Sequence, residues 1–129
     1  MPVRGVRGAT TAPVNEAGAI LAATRELLRE IVARNGIAVD DIAAAYFTVT
    51  DDLDAAFPAQ AARELGWLNT PLLDAREIPV PGSLPRCIRV LLLWNTSLAP
   101  AQVVHVYRNG AATLRPDLAA VGIPDERKD

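Results

Sequence analysis

Several of the usual reactive side chains are nearly missing from this chain. Its 129 residues include one cysteine, Cys87, and one histidine, His105. A single thiol excludes an internal disulfide and fits a reducing compartment. One thiol and one imidazole are too few for a His/Cys metal site. No metal is therefore expected, and as a separate expectation no cofactor. Lysine is almost absent too: of the 13 basic residues only Lys128 is a lysine, and the rest are arginines. With 15 acidic residues the formal charge is −2. A nucleic-acid surface would need a clustered basic excess, so no nucleic-acid partner is expected. No stretch approaches the roughly 20 apolar residues of a membrane span. Met1 to Arg7 also lacks the apolar core of a signal peptide. The expectation is a soluble, cytoplasmic protein with no membrane partner. No phosphate loop, zinc-protease helix or nucleophile elbow is present.

Half of the residues are hydrophobic, yet only 5% are aromatic. Ala, Leu and Val must build the core, which suits a helix packed on a sheet. The length fits one domain, residues 1–129, burying roughly two thirds of its unfolded surface. Val3 to Thr11 reads as a first strand. Arg7 shares a face there with the small Gly5 and Ala9, which leaves space beside its head. Asn15 is a candidate N-cap, with Glu16 in the first turn of a long helix. Ile20, Leu21, Leu27, Leu28, Ile31 and Val32 form its apolar stripe, and Asn35-Gly36 ends it. Asp40-Asp41 starts a short turn, and Ala45 to Thr50 is a second strand. Phe57 to Gly66 is a short helix with Pro58 at its first position. Further strands are expected at Leu72–Val80, Arg86–Asn95 and Val103–Tyr107. Asn109-Gly110 signals a turn, and Thr113-Leu114 a last extended piece. From Pro116 the polar tail is expected to be mobile. The fold class is α+β: a mixed five-stranded sheet packed by one long and one short helix.

Arg89 lies inside the apolar run Cys87-Ile-Arg-Val-Leu-Leu-Leu-Trp94. Such a run predicts a strand that is covered on both faces or lies at an interface. A guanidinium stays charged, so its burial calls for an anion. That anion is either a structural partner such as Glu77 or a ligand. One helix cannot cover both sheet faces, so another subunit is expected on the second, and a homo-oligomer follows. His105 is a structural residue or a base, and Cys87 without a base reads as a small buried hydrophobe. Arg63 has no helical ion-pair partner at i±3 or i±4, and Arg115 is held extended by Pro116. Both are either solvated or aimed at a ligand. Several arginines, Tyr107 and one carboxylate, without acid–base machinery, suit a small dicarboxylate. They also suit a transition state that gains negative charge with no proton transfer.

Five segments carry a family likeness: Arg4-Gly-Val-Arg-Gly-Ala-Thr-Thr11, Phe57-Pro-Ala-Gln-Ala-Ala-Arg-Glu-Leu65, Arg86-Cys-Ile-Arg-Val90, His105-Val-Tyr107 and Leu114-Arg-Pro-Asp-Leu118. In order and spacing they resemble the small monofunctional chorismate mutases of the trimeric α/β-barrel type (the AroH class). The likeness spans Val3 to Leu118. It implies rearrangement of chorismate to prephenate, on the route to phenylalanine and tyrosine. It also implies a pseudo-α/β-barrel homotrimer with clefts between subunits. By position, Arg89 would meet the ether oxygen, and Arg7 and Tyr107 a substrate carboxylate. Glu77 would accept a hydrogen bond from the ring hydroxyl. Leu73, Asp74, Ala75 and Arg76 would line the site with Glu77. Phe57, Arg63, Leu114 and Arg115 would come from a neighbouring subunit. Gln60 stands where the family pattern has a lysine, and Asp74 where it has a Cys or small polar residue. In a regular strand Asp74 and Glu77 face opposite ways, so either Asp74 points aside or the strand is irregular. Two other readings share the arginine chemistry. One is a trimeric imine/enamine deaminase-type enzyme, and the other a non-catalytic protein that binds carboxylate metabolites.

Overall fold

The computed structural model describes residues 1–116. All but the first residue of the expected mobile tail lies outside that range. The strands are β1 (Val3–Thr11), β2 (Ile42–Val49), β3 (Leu72–Arg76), β4 (Cys87–Asn95) and β5 (Val106–Tyr107). Helix α1 is Ala17–Asn35 and α2 is Ala59–Glu64. The strands form one sheet in the order β3-β2-β4-β1-β5. β4 runs antiparallel to β1 and β2, while β2–β3 and β1–β5 are parallel pairs. The mixed sheet and the two helices match the expected α+β class.

Helix α1 forms because its apolar residues recur at helical spacing. Ile20, Ala23, Thr24, Leu27, Leu28 and Ile31 are its buried stripe. Leu27, Leu28 and Ile31 meet Val6, Phe47, Val90 and Leu92, which alternate onto one face of the sheet, while Ile20 and Ala23 pack with Leu53 and Ile88. Each large side chain fully buried there contributes about 1.5–3 kcal/mol. β1 passes close under the helix at Gly8, where a Cβ would lie 2.6 Å from Ile31 Cδ1. The helix ends at Gly36, whose φ of 66° is left-handed and whose N–H reaches Val32 O.

Several local expectations are corrected. Asn15 does not cap α1. Glu16 is the N-cap, with no side-chain bond. The Asn15 side chain instead accepts from the Asp54 and Ala55 N–H groups and donates to Asp54 Oδ1, tying down the loop before α2. β2 starts earlier than expected, at Ile42, through a register irregularity between Ile42 and Ala44. β3 stops at Arg76 rather than Val80, because the proline-rich stretch beyond it cannot supply a ladder. β5 is two residues long rather than five. Asn109 to Thr113 is a 3-10 turn rather than an extended piece.

Of the two alternatives for β4, one chain does not cover both faces. Its own chain covers the helix side and, on the other side, only the end near Cys87 and Ala9, where Ala111 packs. Leu92 is fully buried, whereas Leu91 is 38% and the Arg89 side chain 47% exposed. The open side carries Tyr46, Leu73, Leu91 and Val3, all exposed apolar groups.

Candidate active site

Register across the sheet assembles the site. Thr48 pairs with Arg89, Arg89 with Ala9, and Ala9 with Tyr107, so four strands present one row. Arg7 lies two residues before Ala9 on β1, and so on the same face. Ala9 is small enough to leave room between the long side chains beside it. The result is an open hollow of about 280 Å³ with Arg7, Ala9, Tyr46, Glu77, Arg89 and Tyr107 in its wall.

Glu77 reaches this row from just past β3. Its N–H donates to Val49 O at 2.8 Å, which prolongs the parallel ladder by one bond. Its Oε2 accepts from Thr48 Oγ1 at 2.5 Å and pairs with Arg89 Nε at 3.1 Å. The ion pair anticipated as one alternative for Arg89 is therefore present, but at an open surface. With Nε on Glu77 and a further side-chain hydrogen bond to Cys87, the five N–H donors of Arg89 still leave some for a ligand. Arg7 has no carboxylate partner among the described residues. The hollow thus holds two guanidiniums and one carboxylate, a net positive setting for an anion. Cys87 lies behind Arg89 on the same strand face. Burial pushes its thiol up, against the pull of Arg89, so it stays protonated.

A second hollow, of about 440 Å³, lies on the helix side of β3. Leu21, Leu53, Phe57, Gln60, Asp74 and Arg76 are in its wall. Asp74 pairs in register with Phe47, on the face opposite Glu77's neighbours, so it does point aside. Its Oδ1 accepts from the Ala59 N–H at 3.1 Å at the start of α2. Burial raises its carboxyl above the ordinary range, against that hydrogen bond and the nearby Arg63. Arg76 does not pair with Asp74. It meets Asp51 at 3.0 Å.

The predicted residues therefore divide. Arg7, Glu77, Arg89 and Tyr107 come together. Phe57, Asp74, Ala75 and Arg76 line the second hollow, with Arg63 exposed on α2. Leu73 lies on the open sheet face in register with Tyr46. Leu114 packs with Tyr107, Ala9, Cys87 and Ala111 of its own chain, behind the first hollow. Arg115 acts electrostatically on His105 nearby. These last two stand with the first hollow, not with Phe57 and Arg63. Thr48 and Tyr46 were missed from the sequence. Period-two alternation along β2 puts the two on one face, and only the register with β4 makes that the Arg89 face.

An arginine-lined, open sheet hollow without nucleophile or paired acids defines a class: proteins that grip a small anion by fixed charge. The particular family comes from comparison. The model of chorismate mutase type I matches residues 3–118. The chorismate mutase AroH of Thermus thermophilus is 56% identical over 117 residues, covering 90% of this chain and 96% of that protein. The AroH of Bacillus subtilis (strain 168) is 40% identical over 120 residues, covering 92% and 94%. A solved chorismate mutase from Clostridium thermocellum superposes with a TM-score of 0.84 at 51% identity. It covers 84% of this chain and 97% of its own. The chain belongs to the type I chorismate mutases, and it is an isomerase of that activity. Among the described residues no helix is long and apolar enough to cross a membrane.

Proposed function

We propose that this chain rearranges chorismate to prephenate in the hollow between Arg7, Glu77, Arg89 and Tyr107. The observation that carries the assignment is the Arg89–Glu77 clamp. It fixes Nε at 3.1 Å from the carboxylate and leaves a terminal N–H donor for the ether oxygen, where charge grows as the C–O bond breaks. Arg7 and Tyr107 hold a substrate carboxylate, and Glu77 accepts from the ring hydroxyl. The reaction is intramolecular and pericyclic. The protein holds the diaxial, chair-like conformer and stabilises the polarised transition state, with no proton transferred. The deaminase-type and binding-protein readings give way to this one on the family match.

The working unit in this proposal is a homotrimer. An open sheet face carrying Val3, Tyr46, Leu73 and Leu91 supports it, because a monomer would leave that face wet. So does the split between the two hollows. A neighbour's Phe57 and Arg63, with its Leu73–Arg76 strand, would close the mouth that one chain leaves open. The test is an ultraviolet assay of chorismate loss on protein whose mass in solution is measured. Failure to consume chorismate by the folded trimer refutes the reaction, and an active monomer refutes the shared site.

A further inference from the structure

Two-residue β5 is too short to hold its own edge of the sheet by ladder bonds alone. It pairs with β1 at Gly8–Val106 and Ala9–Tyr107, and Arg108 N–H adds a bond to Ala9 O at 2.9 Å. One step earlier on β1, the Arg7 N–H needs an acceptor from the same edge. The imidazole of His105 supplies it: Nδ1 accepts from Arg7 N–H at 2.9 Å. A side chain has replaced a ladder carbonyl, at the residue whose guanidinium faces the hollow.

We propose that His105 is a positioning residue, its unprotonated Nδ1 locking the Arg7 backbone of β1 to the strand that carries Tyr107. The inference rests on the reading of Arg7 and Tyr107 as the pair that holds a substrate carboxylate. That grip needs two groups on adjacent strands at a fixed separation, and His105 is the tie between those strands beside them. The tie works in one tautomer only. Nδ1 must be bare, so the proton sits on Nε2. Protonation would turn the acceptor into a donor facing another donor, and the tie would open.

The surroundings keep the ring neutral. Burial is the largest effect, and the Arg7 side chain on β1 and Arg115 after the last 3-10 turn both add positive charge. All three lower the imidazole below its ordinary value of 6.5. Above that value the tie is complete, and it is lost as pH falls through the lowered value in the folded protein.

Two substitutions separate positioning from simple packing. His105→Phe keeps a ring and removes the acceptor. His105→Asn places Oδ1 the same number of bonds from Cα as Nδ1, and accepts without titrating. The Phe variant should raise KM by about tenfold, the size of one net hydrogen bond, with kcat changed much less. The Asn variant should recover most of that affinity. Wild-type KM should climb on the acid side of neutrality, while that of the Asn variant stays level. A readout independent of activity is the NMR signal of the Arg7 amide, which should shift along with the His105 ring titration. An Arg7 amide indifferent to that titration overturns the proposal. So does an acid rise in KM shared by wild type and the Asn variant, which decides the matter even if the Phe variant does not fold. Arg7→Ala, measured alongside, separates the two ways of failing. Lost affinity there with an unmoved KM in His105→Phe overturns the positioning role alone. A normal KM in Arg7→Ala overturns the assignment of Arg7, and the role of His105 with it.

Discussion

Replacing Arg89 with lysine should uncouple activity from stability. The Arg89 side chain is 47% exposed and Glu77 24%, so their pair is a surface contact screened by water. Pairs of this kind contribute about 0–1 kcal/mol to folding. A lysine keeps the charge and the apolar stem, so the melting temperature should fall by only a few degrees, on the order of 4 °C at most. Catalysis should suffer far more. The guanidinium uses Nε for Glu77 and still has terminal N–H donors to aim at the substrate. An ammonium is one point charge, and it must choose between Glu77 and the developing oxyanion. Losing one preorganised donor in comparable sites costs roughly 100- to 1,000-fold in kcat. The assay is the ultraviolet decay of chorismate at saturating substrate, on protein whose circular dichroism and mass match the parent. A folded Lys variant with kcat within about threefold of the parent would refute the assignment of Arg89.

Three further outcomes are expected. Gly8→Ala should destabilise by about 1–3 kcal/mol, because its Cβ would meet Ile31 Cδ1 at 2.6 Å, Val90 Cγ1 at 3.1 Å and Leu27 Cδ1 at 3.2 Å. An unchanged urea midpoint would contradict that packing. Asp74→Asn should hold or raise the melting temperature at neutral pH, since burial raises this carboxyl while Asn still accepts from the Ala59 N–H. The raised value means the ionised form is penalised above it, and the penalty vanishes below the ordinary 3.8, so the gain should disappear in acid; a variant less stable at neutral pH would show an ion pair at work. Mixing subunits inactivated at Arg89 with subunits altered at Arg63 should restore part of the activity, and no recovery after verified exchange would count against sites shared between chains.

The sheet face that carries the candidate site was legible strand by strand. Counting in twos put Arg7 with Ala9 and Arg89 with Cys87, while the register, which the sequence does not show, brings those faces and Tyr107 to one side. Glu77 was not legible in this way. It lies past the end of β3, where the alternation no longer applies, and its place comes from one backbone bond to Val49 and one hydroxyl from Thr48. Asn15 misled because a side chain that can cap a helix can equally hold a loop, and here the loop won. His105 could be read only as structural or basic, because its role depends on a strand partner 98 residues away.

The cover of Arg89 is instructive. An apolar run on both faces of a strand called for cover either from the folded chain or from an interface. Within one chain that cover is incomplete: α1 covers Val90 and Leu92, while Leu91 and Arg89 face outward. Such a pattern needs a second cover, and the chain has no element left among its described residues to supply one. The same sheet face holds both the exposed apolar residues and the hollow proposed for catalysis. An interface formed there would do two jobs at once. It would bury Tyr46, Leu73 and Leu91, and it would lower the dielectric around Arg89 and Glu77, where charge must be felt most strongly. Assembly and catalysis would then be one step. A substitution on that face but outside the hollow, such as Val3→Glu, that prevents assembly by measured mass in solution should leave the Arg89–Glu77 pair formed, yet too wet and too open to stabilise the transition state.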